Sequence, residues 1–259
     1  MNAKHLVLTT MTATAPGAGG AAATAVSGDS LTVRNYGSKP RIIGLWGTNQ
    51  TAGFAQLAFP TGHDTTRGFR AGIPADTTLA LALGLYIPIT PQEVIAGTIA
   101  GSAVAGDVEQ CSWLTRYDED KGQKFIDWPE VLRRTDKVTT IEASLVSAAG
   151  PNYSGTESID TDSNLLIANR DYALLGFSTR TRVHAIGWTG PNFGNDRVAS
   201  PGIIRPELSA QWFKLLSAAH GEALIPVFNS GNRAQTNWFV HTDENAGTFV
   251  GTAHIVLLK

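Results

Sequence analysis

The chain has 259 residues, 42% hydrophobic and only 16% charged, enough for one large domain or for two of about 130 residues, each with its own core. Its net charge of −2 and pI near 6.3 exclude the basic face of an electrostatic nucleic-acid binder, so no specific nucleic-acid partner is expected. The single cysteine, Cys111, excludes an intrachain disulfide framework and a thiolate metal cluster, and the low charge density leaves a neutral surface suited to packing against copies of itself.

Residues 5–14 read as a strand, followed by the small-residue loop Ala15 to Thr24. That loop lacks the Gly-Lys-Ser/Thr ending that a phosphate-binding loop requires. Ser30 to Arg34 alternates apolar and polar residues as a half-buried strand does, and Arg41 to Trp46 reads as the next strand. A loop-rich region with Pro60, Gly62, Gly68 and Gly72 follows. Over Pro74 to Gly84 an Asp76 cap would allow a helix, but Leu79, Leu81, Leu83 and Leu85 alternate with period two and favour a strand. Leu85 to Ile89 and Val104 to Tyr117 complete the first half.

Charged residues then concentrate over 118–137. Asp127-Trp-Pro-Glu130 has the form of a helix start, with an Asp cap and Glu three positions on. The expected division is therefore a first β unit over 1–118, a linker with a short helix over 119–138, and a second β unit over 139–259. In the second unit, strands are expected at Thr139 to Val146, Asn164 to Ala168, Tyr172 to Phe177 and Arg182 to Trp188. A helix from Pro206 to Gly221 should bury Leu208, Trp212, Leu215 and Ala219 on one face.

The halves echo each other. Arg41-Ile-Ile-Gly-Leu-Trp-Gly-Thr-Asn49 is matched by Arg182-Val-His-Ala-Ile-Gly-Trp-Thr-Gly190, and Phe59-Pro-Thr61 by Ser200-Pro-Gly202. Leu85 to Ile89 is matched by Ala223 to Val227, and Ala105-Gly-Asp-Val-Glu109 by Ala246-Gly-Thr-Phe-Val250, each opening the last strand of its half. The matches keep their order, which points to an internal duplication. About eight short strands per half, punctuated by Gly and Pro turns, predict an all-β chain of two tandem jelly rolls. On this reading Arg41 to Trp46 and Arg182 to Trp188 are one core strand used twice. The one-position slip between Trp46 and Trp188 should then turn one indole to the other sheet face unless a bulge compensates.

Duplicated jelly rolls include metal enzymes, whose sites need histidines placed together on one strand face. The histidines are His5, His63, His184, His220, His241 and His254, and no His-x-His pair offers two imidazoles on one strand face. His184 and His254 read as structural residues. Asp160, Asp162, Asn164 and Asp171 have the spacing of a calcium loop, but Leu165 stands where the sharp turn needs Gly. His63-Asp64 has no nucleophile elbow beside it. Asn49 and Asn152 open glycosylation-type triplets. Trp238 is the indole expected at the surface, where it would support sugar stacking. No catalytic, cofactor-binding or metal residue is assigned, no cofactor is expected, and the chain reads as a non-enzyme. Its apolar runs fall short of the ~20 residues of a spanning helix, and its first residues are too short an apolar run for a signal peptide.

In architecture the whole chain resembles the double jelly-roll major capsid proteins of icosahedral bacteriophages and related viruses. The resemblance implies a structural virion protein, synthesised in the host cytoplasm, that forms homotrimers. Two jelly rolls per chain would then build a pseudo-hexagonal capsomer and a lattice with other virion proteins, with loops 47–72 and 189–204 making contacts between units. A carbohydrate-binding or tail-fibre-type β-sandwich is the second reading and a metal-dependent bicupin-like enzyme the third.

Overall fold

The computed structural model describes residues 4–14, 24–25, 27–28, 31–32, 40–48, 53–58, 69–73, 78–100, 108–147, 153–155, 157–160, 166–181, 183–202, 206–242 and 247–259. Its strands are β1 (His5–Thr14), β2 (Thr24–Ala25), β3 (Ser27–Gly28), β4 (Leu31–Thr32), β5 (Arg41–Thr48), β6 (Gly53–Ala58), β7 (Phe69–Ile73), β8 (Thr78–Pro88), β9 (Val94–Ala100) and β10 (Val108–Tyr117). They continue with β11 (Lys124–Ile126), β12 (Thr135–Ser147), β13 (Tyr153–Ser154), β14 (Asp171–Thr179), β15 (Ala185–Thr189), β16 (Arg197–Pro201), β17 (Ile225–Asn229), β18 (Asn237–His241) and β19 (Gly247–Leu258). Among the described residues, three short α-helices, α1 (Trp128–Arg134), α2 (Pro206–Ser209) and α3 (Trp212–His220), and two 3-10 turns, Pro191–Phe193 and Ser230–Gln235, interrupt antiparallel sheets of an all-β class.

The chain divides into an N-terminal unit, Leu8–Glu119, and a C-terminal unit, Asp120–Lys259 together with Met1–Val7. The first residues of β1 thus belong with the second half. The segment 119–138, read as a linker, supplies β11, α1 and the start of β12 to the C-terminal unit.

In the N-terminal unit one sheet runs β3-β1-β10-β5-β8 and the other β2-β9-β6-β7, with β4 also on β9. Strand β5 lies between β10 and β8, so no edge of it meets solvent, and Ile42, Ile43, Leu45 and Trp46 are all buried. Successive side chains point to opposite faces, so burial at adjacent positions means both faces of β5 are covered. The strand is therefore apolar at successive positions rather than at alternate ones. Cys111, Trp113, Leu114 and Tyr117 of β10 are buried as well. Within this sheet the buried Thr10 and Ser112 share a 2.6 Å hydrogen bond.

In the C-terminal unit the sheets run β11-β17-β14-β19-β12 and β13-β18-β15-β16. Strand β12 shows the half-buried pattern in full: Ile141, Ala143, Leu145 and Ser147 point inward, and Thr140, Glu142, Ser144 and Val146 outward. Helix α1 starts as its residues require. The Asp127 carboxylate accepts from the Glu130 amide at 2.8 Å, Pro129 sits in the first turn, and Glu130 pairs with Arg133.

Several expectations are corrected. Leu166 to Ala168 form a bend and turn, not a strand, while 161–165 lie outside the described residues. Strand β15 starts at Ala185, so the basic end of Arg182 to Trp188 is not part of it. The regions 47–72 and 189–204, read as loops, contain β6, β7 and β16.

The helix over 206–220 is broken at Ala210 and Gln211. It buries Trp212, Phe213, Leu216 and Ser217 and leaves Leu208 41% exposed, because Leu208 stands on the separate turn α2. Gly221 does end α3, in the left-handed conformation that favours glycine. Gly176 of β14 lets this helical corner approach, since a β-carbon there would lie 2.2 Å from the Ser209 carbonyl oxygen. The repeated Arg-apolar-Trp stretch is not one strand used twice: β5 lies between β10 and β8, whereas β15 lies between β16 and β18. Both indoles are nevertheless fully buried.

Candidate functional site

The chemistry-bearing side chains of the C-terminal unit form three groups. The first is an aromatic core. Trp188 and Trp238 face each other across β15 and β18 with ring centres 5.2 Å apart and planes at 82°. Phe177, Phe228 and Phe193 close around Trp188 at 5.1, 5.1 and 6.4 Å. Edge-to-face pairs of this kind add about 0.5–1.5 kcal/mol each beyond the area they bury. Trp238 is fully buried, which corrects the expectation of an exposed sugar-stacking indole. Its register opposite Trp188 could not be read from a single strand.

The second group surrounds His241 at the end of β18. Tyr153 packs edge-on to this imidazole at 4.6 Å, and the Arg197 guanidinium lies 3.7 Å above the Tyr153 ring. His184 approaches from the other side with ring centres 5.7 Å apart, and its amide donates to the His241 carbonyl at 2.9 Å. Burial, reinforced by the Arg197 charge, pushes His241 down to about 4. Its ring is therefore neutral near pH 7. His184 is fully buried in this cluster, as a structural histidine would be.

The third group lies on the outward face of β12, β14 and β19. The Ser178 hydroxyl and His254 Nε2 are 2.8 Å apart. Burial lowers the His254 pKa while the Glu142 carboxylate acts to raise it. Glu142 accepts from Thr252 at 3.2 Å and pairs with Arg180 at 3.3 Å. A neutral imidazole beside a hydroxyl is half of a nucleophilic pair. Ser178, however, is the penultimate residue of β14, in register with Thr252, on extended strand backbone that does not cluster amides toward a developing oxyanion.

The remaining sequence candidates are dispersed. Asp160 is held by Arg233 at 2.6 Å and Asp171 by the Asn229 side-chain amide at 2.7 Å, while Asp162 and Asn164 lie outside the described residues. His63, Asp64, Asn49 and Asn152 lie outside them too. Cys111 is buried and its thiol is pushed up to about 12, so it is inert at neutral pH. Among the described residues no group of three or more His, Cys, Asp or Glu stands close enough to hold a metal. No helix among them is long and apolar enough to cross a membrane.

A cluster missed in the sequence involves residues 4–7. His5 pairs with Asp196 and Lys4 with Glu222. These partners lie 191 and 218 positions apart, beyond the reach of any local motif.

No protein-family model and no curated protein matches the chain. Among solved structures it is similar to the exported protein XepA of PBSX, at 8% identity over 94% of this chain and 88% of that one, with a TM-score of 0.24. It is also similar to the major capsid protein P2 of bacteriophage PM2, at 6% identity over 99% and 98% of the two chains, with a TM-score of 0.25. YhaK of Escherichia coli matches at 12% identity over 100% and 88%, with a TM-score of 0.23.

Proposed function

We propose that this chain is a structural virion protein without enzymatic activity: a major capsid protein of two duplicated jelly rolls that assembles as a trimeric, pseudo-hexagonal capsomer. The observation that carries the reading is strand order. With the two-residue strands β3 and β4 set aside, and β11 likewise in the other unit, the N-terminal unit has β1, β2, β5, β6, β7, β8, β9 and β10 in chain order. One sheet places them first-eighth-third-sixth (β1-β10-β5-β8) and the other second-seventh-fourth-fifth (β2-β9-β6-β7). In the C-terminal unit, β12 to β19 do the same, as β12-β19-β14-β17 and β13-β18-β15-β16. Eight strands in two sheets in this order support a jelly-roll reading of each unit.

Two identical and non-trivial orders in one chain support duplication more strongly than any of the short sequence echoes. Of those echoes, Leu85 to Ile89 with Ala223 to Val227 falls on strands of the same rank, β8 and β17, and so does the opening of the last strand of each unit, Val108-Glu109 of β10 with Phe249-Val250 of β19. The insertion of α2 and α3 between β16 and β17 makes that step longer than the one from β7 to β8. Two like units per chain let a trimer present six similar faces while each copy diverges.

Negative-stain microscopy of the purified protein tests this directly. Discrete particles with pseudo-hexagonal outline are expected, and isolated bilobed monomers at high concentration would overturn the reading.

A further inference from the structure

One edge of the second sheet of the C-terminal unit is β13, two residues long and paired to β18 through Tyr153 with His241 and Ser154 with Val240. Gly155, at φ +75°, breaks the edge there. Beyond it the chain is tied again, the Ile159 amide donating to the Thr236 carbonyl at 2.9 Å and the Trp238 amide to the Glu157 carbonyl at 2.7 Å. Along its other edge β18 pairs with β15 over all its residues, Asn237 to His241. Strand β13 is therefore the piece of this sheet that can leave while the rest stays closed.

What β13 packs against suits a neutral His241 only. The residue is buried, and its Nδ1 has no hydrogen-bond partner among the described residues. An imidazolium carries a proton on both nitrogens, so that N–H would be a buried donor without an acceptor. The Tyr153 ring that packs on the imidazole already carries the Arg197 guanidinium of β16, which keeps its charge at every working pH. His184, leading into β15, adds a second buried imidazole. Strand β12, which also packs on β18, turns the uncharged Ile141, Ala143, Leu145 and Ser147 inward. Glu157 and Asp160 belong to the stretch that meets the opposite end of β18, at Asn237, and Asp160 is taken by Arg233. Among the described residues the charge that acts on His241 is thus the positive one of Arg197.

We propose that His241 is the pin of an acid-operated latch: when its ring takes up a proton, β13 leaves the edge of β18 while β15, β16 and β18 stay paired. Departure of β13 carries Tyr153 off the imidazolium and admits water, which relieves both its desolvation and its confinement beside Arg197. The backbone of Val240 and His241 then stands as an unpaired sheet edge. With the folded value about 4 and the ordinary value 6.5 restored in the opened edge, the latch is closed above pH 6.5 and opens progressively as pH falls toward 4. The device belongs to the single chain and does not depend on assembly.

Residue-resolved hydrogen exchange of the whole chain tests the latch, each rate being corrected for its intrinsic pH dependence. Between pH 7.5 and pH 4.5 the opening of Tyr153 to Gly155 should rise about 70-fold, with the amides of β15 unchanged. Equal rises in β13 and β15 would show that acid loosens the whole unit, and no rise in β13 would show that His241 pins nothing; either overturns the proposal. His241→Phe keeps a ring against Tyr153 and takes up no proton, so its β13 opening should be the same at both pH values, and a retained rise would overturn the proposal as well. If that variant does not fold, imidazole NMR of the wild type decides: the rise in β13 opening should level off as the native His241 ring titrates, near pH 4, and a rise that ignores that titration would overturn the latch. None of these readings depends on oligomeric state, so the latch and the capsid reading fail separately.

Discussion

The N-terminal and C-terminal units wind their strands in the same order but finish them differently. In the N-terminal unit the step from β7 to β8 is short, β7 ending at Ile73 and β8 beginning at Thr78. In the C-terminal unit the corresponding step from β16 to β17 carries α2 and α3, which bury Trp212, Phe213 and Leu216. The buried indoles also differ: Trp46 and Trp113 stand in register with Ser112 and Leu45 on β10 and β5, whereas Trp188 and Trp238 meet each other across β15 and β18. One strand order therefore tolerates two quite different fillings. Order is set by how edges pair, while filling is set by which side chains happen to meet across the sheets.

The sharpest way to separate the units is to empty one core at a time. Trp188→Ala should destabilise the C-terminal unit by about 3–5 kcal/mol and leave the fluorescence transition that reports Trp46 and Trp113 in place. Trp46→Ala should do the converse. Denaturant titrations of both variants check this, and a single transition shifted equally by either change would erase the distinction between the two units.

Acid should act on the C-terminal unit through His241. Its folded pKa near 4 lies below the ordinary 6.5, so the folded state refuses a proton that the unfolded chain accepts. The stability tied to the neutral ring is whole above pH 6.5 and is lost as pH falls toward 4, on the order of 3 kcal/mol by pH 4. His241→Phe keeps a ring against Tyr153 and should flatten that slope in denaturation measured at pH 7 and pH 4.5. An unchanged slope would assign acid sensitivity elsewhere.

A smaller loss is expected at Gln123. Gln123→Ala strips the buried Leu6 amide and the Leu6 and Phe193 carbonyls of one partner and should cost about 1–3 kcal/mol, with hydrogen exchange rising at Leu6 first. The smallest effect is on the outward face. Arg180→Ala removes an exposed partner of Glu142 and should change stability by less than about 1 kcal/mol.

Much of the fold was legible because strands write themselves locally. The alternation in β12, the period-two leucines of β8 and the Asp127 cap each concern neighbours in sequence, and each stands where the pattern put it. The pairing of Arg41 to Asn49 with Arg182 to Gly190 misled because Gly, Trp and Thr recur in buried strands of any rank, and rank depends on partners far away in the chain. Trp238 misled for the same reason, since the polar residues before it are local and the Trp188 that covers it is not. The grip of the C-terminal unit on residues 4–7 had no local signal at all, because it joins His5 to Asp196.

The central claim is that two like units in one chain serve a three-fold assembly. Light scattering on the protein purified at high concentration tests it most directly. The account predicts a mass three times the 27.4 kDa of the chain or a larger multiple of that trimer; a monodisperse species at 27.4 kDa would contradict it.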